Sequence, residues 1–317
     1  MRLNSFLILA SFLPFAAAQS TIATPALGYA FDADLRAIRP VRGIPGAAIL
    51  GEPLHTRFAP ASAAISPAQD YAIALSPEEG PRLISWNGER ASVIPLDGAA
   101  EGAGRVVFSP AGSAAILYHS NSGRMQAVIG LPDAPVLREI QPAGSPTAGA
   151  FAIADDATVA LARPDGVVAI GPDLSSSPLP LPGTVAALAF RRATHDLVAV
   201  TGSGDLYWAK NVNGNLEVRQ VYSGDSQTGS PVAVQFSPDG FAVFAANAAG
   251  VIATIDLTTG SIASLSCQCT PTGLQPFGRA SLFRITDISD RPLLLFDGTP
   301  ARNRVWFVPA ETRRSAQ

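Results

Sequence analysis

The strongest constraint on the fold is a unit of four short strand-like runs, closed by tight turns, that recurs along the chain. Its clearest copy is residues 232–266, with runs at 232–237, 241–247, 251–256 and 261–266. Pro238-Asp239-Gly240 separates the first two runs, because proline presets φ and glycine accepts a positive φ. Gly250 and Gly260 close the next two turns. The runs are rich in β-branched and aromatic residues and only six or seven residues long, which suits strands and not helices. Taking Ile65, Phe108, Phe151, Phe190, Phe236 and Phe277 as equivalent positions gives spacings of 43, 43, 39, 46 and 41 residues. Four strands per period at this repeat length predict a β-propeller. A β-sandwich or a pair of small β domains would have no reason to keep a fixed four-strand period.

Of the 317 residues, 47% are hydrophobic and only 15% are charged. A chain this apolar either spans a membrane or buries both faces of its strands. No internal run approaches the ~20 apolar residues a membrane helix needs, so no membrane span is expected once the leader is removed. The apolar excess is read as sheets packed on both sides. The formal net charge is −3 and Lys210 is the single lysine. Without a basic cluster, nucleic acid is excluded as an expected partner.

The first 18 residues read as a secretory signal: Arg2 in the n-region, an apolar core over 6–15, and Ala16-Ala17-Ala18 as a small-residue cleavage site. Cleavage after Ala18 is expected, leaving a periplasmic or extracellular protein in which 19–317 form one propeller domain. An uncleaved membrane anchor is disfavoured because its apolar core is too short. After a short start at 20–25, runs 27–32 and 36–42 pair across Asp32-Ala33-Asp34, and an apolar run follows at 47–50. Six complete units then span 61–97, 104–141, 147–182, 184–222, 232–266 and 272–309. The N-terminal runs make a partial seventh, so seven blades are favoured over six. Leu27, Tyr29 and Phe31 are expected on one face, closing the ring against the last unit by hydrogen bonds. A closed ring removes exposed strand edges.

Phe236-Ser237-Pro238-Asp239-Gly240 and Phe108-Ser109-Pro110-Ala111-Gly112 resemble the repeat of the WD40-like bacterial propellers, including the TolB-type and surface-layer-type families. The Trp-Asp dipeptide and Gly-His pair of true WD40 repeats are absent. The resemblance implies an exported propeller acting as a scaffold or partner-binding protein, although some related propellers are enzymes.

Chemical motifs are sparse. His55, His119 and His195 have no metal-ligand spacing, and neither a nucleophile elbow nor a paired-cysteine zinc pattern occurs. Asp32-Ala33-Asp34 and Asp155-Asp156 lack the regular spacing of a calcium loop. No cofactor or metal is expected. Cys267 and Cys269 are the two cysteines and, in an exported chain, candidates for a disulfide; that bond would need a turn at Gln268. Loops entering each innermost strand share one face of a propeller with the loops joining its second and third strands. The latter set supplies the candidate binding residues Glu78, Glu79, Asn121, Arg163, Asp165, Asp205, Asn247 and Asp290. The leading functional expectation is a non-catalytic binding or scaffold module for a protein or envelope component. The alternative is a propeller hydrolase of the lactonase kind, with carboxylates around a metal in the central channel. Against it, the innermost strands end in Ser, Ala, Gln and Arg. A structural repeat protein with no dedicated ligand is a third reading.

Overall fold

Each apolar run is cut short by a turn, so the chain folds back on itself and pairs antiparallel with the run just before. In a computed structural model, which describes residues 25–88, 90–140, 150–224, 229–278, 281–289, 291–300 and 302–310, this produces seven separate antiparallel sheets and no helix among the described residues. Each sheet is built from strands consecutive in sequence. We number them as blades 1 to 7: residues 26–50, 62–95, 105–140, 151–179, 185–222, 231–266 and 275–308. Blades 2 to 7 have four strands and blade 1 has three. The chain is therefore a seven-bladed β-propeller, and the N-terminal runs belong to its ring. The expected signal sequence lies outside the described residues.

Apolar side chains on both faces of each blade hold the ring. Seven hydrophobic clusters form, one between each pair of successive blades, and the last joins blade 7 to blade 1. This arrangement explains the high apolar content: each blade has two buried faces and no polar one. In blade 6, Phe236 is 6% exposed and lies with Val234 against Ala187, Val198 and Val200 of blade 5. It thus packs on the preceding blade. Val232 does not continue that face, because the ladder shifts between Pro231 and Ala233 and leaves Val232 at a bulge. Phe236→Ala should cost roughly 3–5 kcal/mol, the usual penalty for emptying a buried phenyl site. Denaturant titration checks this, and a loss below about 1 kcal/mol would place the ring in solvent.

The ring closes by packing, not by a shared ladder. The first and last blades remain separate sheets, linked in the ladder pattern only by one parallel bridge between Asp32 and Ile288. Ala30, Val41 and Ala48 of blade 1 meet Phe277, Leu282, Leu293, Leu295 and Val308 of blade 7. The fit is close: a Cβ on Gly28 would stand 2.7 Å from the Phe277 ring, and one on Gly46, at φ +87°, 2.7 Å from Trp306. A bulge between Ala26 and Gly28 turns Leu27 toward blade 7, while Tyr29 and Phe31 face blade 2. The expected single face of Leu27, Tyr29 and Phe31 is thus split by that bulge.

A belt of side-chain bonds ties the blades together at the turns that follow the innermost strands. Gln69 accepts the Tyr29 amide of blade 1 at 2.7 Å and donates to the Pro276 carbonyl of blade 7 at 3.1 Å, spanning the closing seam. The Tyr71 hydroxyl donates to the Gly112 carbonyl in the turn of blade 3, and burial raises its pKa. Asp155 of blade 4 accepts the Ala111 amide of blade 3 and the Ala193 amide of blade 5, both at 2.8 Å. Beside it Asp156 accepts the Thr158 amide at 2.9 Å and pairs with His195 Nε2 at 2.8 Å. Desolvation acts to raise the Asp156 pKa, but these bonds outweigh it and the net shift is downward. The two aspartates considered for calcium are committed to joining three blades. Asp32 likewise accepts the amides of Asp34 and Leu35, each at 3.1 Å, and faces Arg39.

Candidate binding site at the mouth of the central channel

The innermost strand of each blade turns its unpaired edge toward the ring axis. Together these strands enclose a central channel of about 250 Å³, lined by residues of blades 2 to 7. To compare blades, the innermost strands are aligned at the turn that ends them. There an amide donates back across the turn: Ser66 to Tyr71, Ser109 to Ala114, Ala154 to Thr158, Arg191 to Asp196, Ser237 to Ala242 and Phe277 to Leu282. The residues just before these donors are equivalent: Ile65, Phe108, Ile153, Phe190, Phe236 and Pro276. The sequence alignment therefore needs correcting at two blades. Phe151 stands two residues early, on the same face as the true equivalent Ile153. Phe277 stands one residue late and so faces blade 1. In both cases an aromatic side chain marked the wrong position in a short, irregular innermost strand.

With this register, the channel lining resolves into levels. One residue before the anchor stand Ala64, Val107, Ala152, Ala189, Gln235 and Gln275, all of which line the channel. Three residues before it, where the strands enter, stand Ser62, Arg105, Ala150, Ala187, Ala233 and Gly273. Five of these six are small and one is arginine. Arg105 is also the only charged residue among those lining the channel. Its guanidinium carbon lies 4.9 Å from the centre of the Phe151 ring, on the next blade, in cation–π geometry. No carboxylate lies within ion-pair distance of it among the described residues. Arg105 is exposed to solvent; partial desolvation by the packing around it lowers its pKa below the ordinary arginine value, although a guanidinium remains charged throughout the physiological range. Gln235 and Gln275 belong to blades 6 and 7, the two blades farthest around the ring from blade 3. The rest of the lining is aliphatic or aromatic apart from Ser109 and Thr272.

The loops joining second and third strands lie, by antiparallel order, at the same end of the blades as Arg105. The structure ties most of the candidate loop residues into their own turns. Glu79 pairs with Arg82 at 2.7 Å, and the neighbouring Glu78 amide donates to Ser76 Oγ at 3.4 Å. Arg163 donates to both carboxylate oxygens of Asp165, at 3.0 and 2.8 Å. Asp205 accepts Ser203 Oγ at 2.7 Å and the Gly224 amide at 3.1 Å. Asn247 Oδ1 accepts the amides of Ala249 and Val251, at 3.1 and 2.9 Å. Asn121 is exposed at its turn, and Asp290 lies outside the described residues. Each blade thus presents its own turn, and none of these contacts joins candidates of different blades. Cys267 and Cys269 are bonded to each other, with Gln268 between them at φ +52°.

Arg105 is absent from the candidates drawn from sequence. The signal that identifies it is the run of small residues at the equivalent positions, four of which are small even in the sequence alignment. His195, expected as an isolated turn histidine, pairs with Asp156. His119 is buried, with Nδ1 3.1 Å from the Glu101 carbonyl.

No family model matches the chain, and no curated protein matches it in sequence. Its fold is similar to that of apo AztD from Citrobacter koseri (12% identity, 90% of this chain and 94% of that one, TM-score 0.58). It is similar also to a functionally unknown protein from Desulfotomaculum acetoxidans DSM 771 (14% identity, 90% and 100%, TM-score 0.58). A third similar structure is Saccharomyces cerevisiae Sqt1 (10% identity, 90% and 86%, TM-score 0.55). At these identities the likeness is one of fold, and it agrees with the WD40-like propeller drawn from the Phe-Ser-Pro repeats.

Proposed function

We propose that this chain is an exported, non-catalytic binding module of the TolB-like or surface-layer-like kind, which holds a protein or envelope component at the channel and its mouth. The observation that carries this reading is the chemistry of the lining: an open channel edged by the innermost strands, with no aspartate, glutamate or histidine among the described residues that form it. A hydrolase of the lactonase kind needs such side chains converging on a metal, and the lining residues supply none. Unpaired backbone groups of the innermost strands, with a few placed polar side chains, give such a channel the means to recognise a ligand. The exposed turns around the mouth, from Glu78 and Glu79 to Asn247, supply a rim whose charge changes from blade to blade.

The test is capture from the native envelope fraction with the secreted protein as bait. A partner that is retained by wild type and lost when Arg105 and Gln275, both exposed in the channel, are changed to Glu supports the reading. A partner retained equally by that variant moves the site elsewhere on the surface. Stoichiometric tightly bound metal together with lactone hydrolysis overturns the non-catalytic reading. Intact mass of the secreted bait is expected to place Gln19 first; a mass that includes residues 1–18 overturns cleavage.

A further inference from the structure

We infer that the Cys267–Cys269 disulfide is a reversible thiol–disulfide exchange site, opened by a dithiol reductant. Its two states set the path by which the chain crosses from blade 6 to the channel wall in blade 7. The inference does not depend on what the channel binds.

The chain has two cysteines, and both form this bond, with a single residue between them. A disulfide stabilises a fold chiefly by closing a long loop of the unfolded chain. A ring that encloses only Gln268 closes almost no loop, and it joins no two strands and no two blades. The seam between blades 1 and 7, where a covalent link would stabilise most, is held by packing instead. The bond is therefore badly placed as a staple. It is well placed for exchange. Both cysteines are half-buried and Gln268 is exposed, so a thiol can approach. Gln268 is held at φ +52°, in the left-handed region that a residue with a Cβ enters at a cost. Opening the ring releases it. Exposed or strained disulfides are the labile ones.

The position of the bond gives its opening a consequence. The outermost strand of blade 6 ends at Ser266, and the Cys267 amide donates to the Gly250 carbonyl at 2.8 Å. A Cβ on Gly250 would stand 2.3 Å from the Cys269 carbonyl oxygen and 3.3 Å from Cys267 Sγ, so the ring lies directly against that turn. The chain then crosses to blade 7, where the Thr272 amide donates to the Ile285 carbonyl at 2.8 Å and residues 272–276 line the channel. Between these two anchors the disulfide bends the backbone, and a relaxed Gln268 shifts the crossover that carries Thr272. Because the Gly250 turn covers Cys267 Sγ, the incoming thiolate attacks Cys269 Sγ. A new S–S bond forms there as the old one breaks, and Cys267 leaves as a thiolate that takes up a proton. The second thiol of the reductant then attacks its own sulfur in the mixed disulfide and frees Cys269. The reductant loses two electrons and two protons, and the protein gains both.

The test uses dithiothreitol as the reductant and the full mature protein. After incubation in buffers of reduced and oxidised dithiothreitol, the protein is alkylated with iodoacetamide without denaturant and weighed. It should take up two carbamidomethyl groups, at reductant ratios within about tenfold of those that open the bond in guanidinium. Oxidised glutathione should restore the bond. Alkylation that requires guanidinium overturns the exchange site. Cys267→Ser, which keeps Cys269, should form a mixed disulfide with glutathione several-fold faster than Cys269→Ser; the reverse order overturns Cys269 as the attacked atom. Reduced wild type and the Cys267→Ser/Cys269→Ser double variant should both melt within about 5 °C of the oxidised protein. A larger fall in both makes the bond a staple and overturns the proposal. Hydrogen exchange of the amides in 270–275 should quicken on reduction while blades 2 to 4 are unaffected. Unchanged exchange there overturns the link to the channel wall.

Discussion

Deleting residues 25–58, which make up blade 1 and the segment that packs behind it, should yield a protein that aggregates or melts at least roughly 10 °C lower. Blade 1 is the least regular of the seven. It has three strands, and its third is only Ile49–Leu50, extended by the bonds of Gly51 to Pro40 and Leu54 to Ile38. Yet both of its faces are buried. On one side Ile38, Leu54 and Phe58 cover Ala72, Ala74 and Ile84 of blade 2. On the other, Ala30, Val41 and Ala48 cover Phe277, Leu282 and Leu293 of blade 7. Its loss would therefore expose two apolar faces at once. Patches beyond a few hundred Å² are aggregation-prone, and burial is worth about 25 cal/mol per Å². The remaining six blades could close only by changing every angle between neighbours, at the expense of all the remaining clusters. Size-exclusion chromatography and thermal melting of the truncated chain decide the matter. A monomer with an unchanged melting point would show that blade 1 is an accessory arm and that six blades stand alone.

The repeat was legible in the sequence because turn residues and strand patterns agree in most units. Phe-Ser-Pro-Asp-Gly at 236–240 and Phe-Ser-Pro-Ala-Gly at 108–112 mark the same turn in two blades, and strand runs fall at matching distances beyond it. The N-terminal pair was legible for the same reason. What escaped was register inside the innermost strands. Two of these, Phe151–Ile153 and Gln275–Pro276, are only three and two residues long, too short for a period-2 pattern to assert itself. Bulges at Leu27, Ala186 and Val232 interrupt three more. A one-residue slip moves a side chain to the other face, so an alignment anchored on Phe277 looks into the wrong interface. Arg105 escaped for another reason: Ser62, Ala187 and Ala233 are its equivalents in either register, but only the folded ring places these positions around one end of the axis. The inter-blade bonds of Asp155, Asp156 and Gln69 were illegible for a different reason. They join turns some 40 residues apart, and nothing local distinguishes an aspartate that bonds its own turn from one that bonds the next blade.

Asp32→Ala is expected to be the most damaging single polar substitution in the ring. Asp32 Oδ2 lies 3.3 Å from Arg39 Nη1, and the two side chains are 7% and 4% exposed. Asp32 ends the innermost strand of blade 1 and bridges to Ile288 of blade 7, so the ion pair sits inside the closing seam. Arg39 also donates from Nε to the Gly51 carbonyl at 2.8 Å, which fastens the irregular third strand to the second. Removing the carboxylate takes one anionic partner from a buried guanidinium, and it strips the Asp34 and Leu35 amides of their acceptor. Breaking a buried pair from one side costs about 3–5 kcal/mol, because the surviving charge keeps its desolvation penalty. The same physics predicts an asymmetry. Asp32→Ala combined with Arg39→Met removes both charges and should recover much of the loss, since an apolar side chain of similar length is content in that position. Denaturant titration of the two single variants and the double variant measures the coupling. If Asp32→Ala costs less than about 1 kcal/mol, or the double variant falls by the sum of the two single losses, the pair is solvated and the seam is held by apolar contact alone.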